Sequence, residues 1–245
     1  MVDQDRRPAY YAAGAGGGWR DWWTLLHPPY TAWHLSYVVI GASLAAHVDL
    51  GRLLATLVAF FCAVGLSAHA ADELHGRPLR TAIPGAALVA VTAAGLAVAV
   101  ALGIAGVARV GLALVPFIVI GPALVVGYNA ELWGGALHTD AAFAAGWGAF
   151  PLLTAYAAQA DGIAVAPALG AAAAFALSLA QRALSTPARA LRRKVAGVRG
   201  TVTFSDGTVQ PIDAVALRVP LEAALRAMSW GMVALAAALA VARLR

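Results

Sequence analysis

Two short stretches gather the ionisable side chains whose types and spacing could do chemistry. The first is Asp72-Glu73-Leu74-His75, preceded by His69 and followed by Arg77 and Arg80. The second runs from Tyr128-Asn129-Ala130-Glu131 to His138-Thr139-Asp140, with Gly134-Gly135 between. On a continuing helix His69, Asp72 and Glu73 stand at i, i+3 and i+4 and share a face. Paired carboxylates suit Mg²⁺, a hard cation that prefers oxygen ligands and substrate phosphates. Arg77 and Arg80 have the guanidinium fork that grips a phosphate. Asn129 and Glu131 are suited to orienting a ligand or a metal-bound water. His138 and Asp140 are suited to acid–base transfer, because imidazole titrates near neutral pH. His69, Glu73, His75, Glu131 and His138 form an alternative imidazole-rich set for Zn²⁺ or iron. A purely structural alternative stands beside these readings. Asp72 and Glu73 would then pair with Arg77 or Arg80 at a helix end, and the second stretch would be a solvated loop anchored by Trp133. His34, alone on an apolar segment, is a cavity candidate.

Such ionisable groups are costly at membrane depth, and membrane depth is where the composition puts them. Of 245 residues, 61% are hydrophobic and 12% charged, with mean hydropathy +0.76. Soluble domains carry roughly 25% charged residues, so most of this surface faces lipid. The net charge of +5 comes from basic residues gathered in particular loops, which argues for membrane topology and against nucleic acid. Cys62 is the single cysteine, so no disulfide forms within the chain. No cleavable leader is expected from the polar, glycine-rich start.

A bilayer core needs about 20 apolar residues in a helix. Seven segments qualify: 30–46, 53–71, 83–107, 110–127, 141–158, 163–184 and 227–242. Their many alanines and glycines let helix backbones approach closely in lipid. The organisation is therefore a cytoplasmic segment with an interfacial tryptophan-rich helix (1–29), a six-span bundle (30–184), a basic loop (185–226) and a seventh span (227–245). Within the loop, 199–211 reads as a β-hairpin around Asp206-Gly207. A basic helix (188–195) precedes it, and an amphipathic stretch interrupted at Pro220 (212–226) follows. Arg6, Arg7, Arg20, Arg77, Arg80, Arg182, Arg189 and the basic loop fall on one side. Arg52, Arg109, Arg243, Arg245 and Asp161 fall on the other. The bias predicts a cytoplasmic N-terminus in the plasma membrane, with both polar stretches on the cytoplasmic side.

His27-Pro28-Pro29-Tyr30 before the first span, the acidic end of the second, and Arg77-Pro78-Leu79 resemble the UbiA-type intramembrane prenyltransferases. Tyr128 and Trp147-Gly148-Ala149-Phe150-Pro151 add to the likeness, which covers roughly residues 25–184. It implies an all-α bundle around a lipid-open cavity, Mg²⁺, and a prenyl diphosphate whose departure leaves an allylic cation. Asp72 matches the aspartate of the family's first Asp-rich motif, with His75 replacing the next one. The second motif is missing: residues 181–189 hold no carboxylate. Arg189 then joins Arg77 and Arg80 as a phosphate contact, with His34 and Tyr128 beside the substrate. Asp72, Glu73, His69 and Glu131 are the metal candidates.

The expectation is a seven-span UbiA-like bundle with a small cytoplasmic hairpin, acting as a prenyltransferase on an isoprenoid substrate at the cytoplasmic leaflet. Asp72, Glu73, His75, Asn129, Glu131, His138 and Asp140 would meet in one cavity. The alternatives are a membrane metalloenzyme and a non-catalytic isoprenoid- or quinone-binding protein, and the chain is compatible with a homo-oligomer.

Overall fold

The computed structural model describes residues 7–13, 17–160, 162 and 164–243. Arg6, Asp161 and Arg245, which entered the charge argument above, lie outside the described residues.

The chain folds into a helical bundle with one small sheet. Helix α1 (Trp19–Leu26) turns at His27 into α2 (Pro28–Ser43). Two prolines at the start of α2 lack N–H groups that would have no partner there, so they begin the helix cheaply. Six longer helices follow: α3 (Leu50–Leu74), α4 (Gly85–Val110), α5 (Leu112–Asn129), α6 (Asp140–Gln159), α7 (Val165–Arg193) and α8 (Ala214–Arg243). Each is long and apolar enough to cross a membrane. Their outer faces carry Val89, Ile104, Val119, Leu169 and Trp230 exposed, the pattern of a bundle solvated by lipid.

Among the described residues the expected seven spans become six helices of sufficient length. The first expected segment is α2, only 16 residues long, too short for a bilayer core at 1.5 Å per residue. It is instead the central helix. Trp33, Tyr37, Leu152, Ala171, Ala174 and Met232 bring α2, α6, α7 and α8 into one core. The Trp33 indole N–H donates to the Tyr37 hydroxyl at 2.7 Å, and Ser178 donates to the same oxygen at 3.3 Å. A Cβ on Gly41 would overlap the backbone of Leu152, and one on Gly148 would meet the Ala174 carbonyl at 2.7 Å. Those glycines are what let the helices touch.

Two spans are not α-helical throughout. Phe61–Ala68 in α3 and Ala144–Ala149 in α6 are π-helical. Wider turns of this kind recur at functional sites.

The basic helix expected at 188–195 is the end of α7, which runs unbroken to Arg193. The expected break at Pro220 is also absent, since α8 continues through it. Arg218, Glu222, Leu225, Ser229, Met232 and Ala236 form an uninterrupted buried stripe, and packing along it outweighs the lost backbone hydrogen bond. Between α7 and α8, β1 (Gly200–Thr203) pairs antiparallel with β2 (Val209–Ile212), Thr203 opposite Val209. Asp206 and Gly207 sit in the turn as expected, Gly207 at φ +85°.

Successive passes bring the stretches around 27, 75–84, 130–139 and 193 to one end of the bundle. Glu131 lies 3.9 Å from His75, and Arg193 donates to the Pro8 carbonyl at 3.0 Å. At the other end Asp49 N–H donates to Gln159 at 2.8 Å and Arg52 to the Arg109 carbonyl at 3.2 Å.

Candidate functional site

Both polar stretches reach the same end, where their side chains take up separate contacts. Glu73 is fully buried, and its carboxylate accepts from the N–H of Leu79, the N–H of Thr81 and the Thr81 hydroxyl, each at 2.9 Å. Both oxygens are therefore committed to the loop after α3. Asp21 of α1 accepts from Ala82 N–H at 2.6 Å and fixes the far side of the same loop. Arg77 donates to the Ile83 carbonyl at 2.6 Å, and Arg80 is exposed. The sequence put Glu73 with a metal and Arg77 with a phosphate; the structure uses both to shape the Arg-Pro-Leu loop.

His69 lies flat on His27, ring centroids 4.2 Å apart, and its Nδ1 contacts the Gly65 carbonyl at 3.1 Å. The shared helical face therefore splits: His69 turns to α1–α2 and Glu73 to its loop, while Asp72 shares neither partner. The charges acting on Asp72 are, in decreasing order, Arg189, Arg193, Glu73 and His138. Arg189, expected as a phosphate contact, and Arg193, which the sequence reading did not include, are thus the cations acting on Asp72.

The second stretch folds back through an irregular turn. Glu131 and Trp133 adopt left-handed φ of 47° and 54°. That turn holds Glu131 between His75 (3.9 Å) and His138 (3.8 Å), all three half exposed. His138 stacks on Tyr128 at 4.5 Å. Asp140 pairs with Arg182 at 2.7 Å. Asn129 donates to the Val125 carbonyl of its own helix at 2.7 Å, and buried His34 contacts the Trp147 carbonyl at 2.8 Å, so both act as ties within the fold. Among the described residues no three His, Cys, Asp or Glu side chains gather as a metal site. The expected set of Asp72, Glu73, His69 and Glu131 is spread over separate contacts.

Sequence reasoning missed several residues here. Tyr11 packs against His27 (5.2 Å) and Tyr30 (5.5 Å), which brings the N-terminal segment over the polar end. Burial is the main cause that pushes its phenol above the ordinary range. Burial, then His69, Arg193, Arg189 and His34, hold His27 well below the usual imidazole value and keep it neutral. Arg192 pairs with Glu222, and Arg218 reaches the same carboxylate at 3.7 Å. The i, i+4 spacing of Arg218 and Glu222 was the only sequence signal for that buried group. Among the described residues, the five non-glycine residues with positive φ, His27, Arg77, Arg80, Glu131 and Trp133, all lie at this end. Strain of about 1–3 kcal/mol at each is the kind of feature that clusters at working sites.

The cavity lies elsewhere. A space of about 460 Å³ separates α3, α4, α5 and α6, and none of the predicted site residues lines it. Its walls are apolar and largely small, including Ala59, Ala63, Ala99, Gly103, Gly106 and Gly121. It reaches Val64, Val125 and Trp147 at mid-bundle, and Asp49, Arg52 and Arg109 at the end away from the acids. The expectation of a cavity shared with the acids is corrected on this point. Small side chains on facing helices leave the volume open, whereas Tyr128, Phe143 and Trp147 fill the layer beneath His138.

Compared with known proteins, the chain matches no protein-family model, no curated protein and no solved structure.

Proposed function

We propose that this chain is an integral membrane protein that binds an isoprenoid-type lipid and houses its apolar chain in the cavity between α3, α4, α5 and α6. The cavity carries the reading. At about 460 Å³ it falls within the roughly 300–1,000 Å³ of small-molecule sites, with a mostly apolar wall. The sequence likeness to UbiA-type enzymes supplies the isoprenoid class. The bias of basic residues supplies the orientation, with the polar end at the cytoplasmic face of the plasma membrane. Of the three functions weighed from sequence, non-catalytic binding accords best with Glu73 and Arg77 being spent on their own loop.

Lipid extracted from the purified protein tests the proposal. An isoprenoid species should co-purify in stoichiometric amount and be displaced in Ala63→Phe and Ala99→Phe, which fill the cavity. Recovery of bulk membrane lipid only, equal in wild type and variants, sinks it.

One observation favours a second reading, prenyl transfer. The charges of Arg189, Arg193 and His138 act on Asp72, so a diphosphate would find cations and an imidazole at the polar end. Mg²⁺ would supply charge neutralisation there, with Asp72 as the one uncommitted predicted carboxylate on α3. Release of diphosphate from a labelled prenyl diphosphate, lost in Asp72→Asn and Arg189→Ala, selects this reading. No release across a panel of acceptors removes it.

A further inference from the structure

We infer that the cavity takes an isoprenyl phosphate from the face opposite the acidic cluster, with its phosphate on Arg52 and Arg109. This rests on the chain-binding reading above and adds the head group. Among the thirty residues around the cavity, the charged ones are Asp49, Arg52 and Arg109, and all stand at one end. Thr56 and Thr154, the hydroxyls along its length, donate to the Arg52 and Phe150 carbonyls of their own helices. The wall is therefore dry until the mouth, where it turns cationic.

The two arginines are held differently. Arg52 donates to the carbonyls of Ala158 (3.5 Å) and Arg109 (3.2 Å), contacts that aim its guanidinium across the mouth from α3 toward α4 and α6. Asp49 accepts from the Arg52 N–H at 2.9 Å as the N-terminal cap of α3, and its carboxylate lies 3.9 Å from the Arg52 side chain. That carboxylate offsets one positive charge. Arg109 is exposed, and its guanidinium has no partner among the described residues. A basic residue in the last turn of α4 suits the helix dipole. The dipole does not account for its meeting Arg52 on the same cavity.

Charge and shape then select the ligand. Among the described residues two arginines and one carboxylate leave this mouth net positive, which matches a phosphate, an acceptor of charge-assisted guanidinium contacts. From Gly51 to Val64 the α3 wall runs about 20 Å at 1.5 Å per residue, the run of one extended chain.

Binding of farnesyl phosphate, farnesol and inorganic phosphate to the full-length protein in nanodiscs tests this. Farnesyl phosphate should bind about tenfold or more tightly than farnesol, the worth of one charge-assisted contact. Arg109→Gln should abolish that preference and Arg109→Lys should keep part of it. Arg52→Gln, checked for folding by its melting profile, should act in the same direction. Equal binding of phosphate and alcohol overturns the head-group assignment and leaves chain binding standing. Binding of neither overturns the cavity reading itself. Inorganic phosphate competing as well as the ester would show a bare anion site and also overturn the inference.

Discussion

Replacing Glu73 separates a structural carboxylate from a metal ligand, because the two roles predict different losses. In Glu73→Ala the N–H groups of Leu79 and Thr81 and the Thr81 hydroxyl lose their acceptor. A buried donor left unsatisfied costs about 1–3 kcal/mol. Leu79 is buried and pays that cost in full, while half-exposed Thr81 recovers part of it from water. The net loss is about 3 kcal/mol, at the upper end for single substitutions. For a chain of this size that lowers the melting temperature by roughly 6–12 °C, at about 2–4 °C per kcal/mol. Glu73→Gln keeps one acceptor but turns an N–H₂ group toward a donor, so it falls between. The assay is thermal unfolding in detergent together with amide exchange across residues 75–84. Leu79 and Thr81 should lose protection, while amides of α4 keep theirs. Wild-type melting and wild-type protection in Glu73→Ala would refute the argument. A Mg²⁺-dependent stabilisation that vanishes in the variant would return Glu73 to metal binding.

Other outcomes follow from the same contacts. Glu222→Ala removes the carboxylate shared by Arg192 and Arg218, and breaking such a buried group should destabilise by about 3–5 kcal/mol, read by chemical unfolding. Gly95→Val drives a side chain into Ser67 and the Cys62 carbonyl, and should lower stability by about 1–3 kcal/mol in the same assay. Asp206 is held below its ordinary pKa by hydrogen bonds from the Thr208 side chain and N–H. Its contribution to the hairpin is present above the usual aspartate value of about 3.9. It is lost as pH falls through the lower folded value, so Thr208 amide protection should drop only in that acid range and be absent at all pH in Asp206→Ala.

The apolar spans, most of the long helices, the short helix α1 and the hairpin were legible in the sequence, because hydropathy and turn chemistry are local properties. Asp206-Gly207 between β-rich runs needs no partner to make a turn, and the 26 largely apolar residues of α4 need none to prefer lipid. The meeting of residues 72–75 with 131–138 was also foreseeable, since alternate loops of a multipass chain share a side. Direction within that end was not. Helical spacing put His69, Asp72 and Glu73 on one face, yet each found a different partner, because ring stacking, loop amides and the α7 arginines compete for side chains over a few ångströms. Nor could periodicity show that α2 is central or that α8 passes Pro220 unbroken. Both depend on which faces neighbouring helices cover. The cavity belongs wholly to tertiary structure: an alanine- or glycine-rich segment reads the same whether its neighbour packs closely or stands away. Only the spacing of α3, α4, α5 and α6 decides which happens, and here it leaves room for a guest.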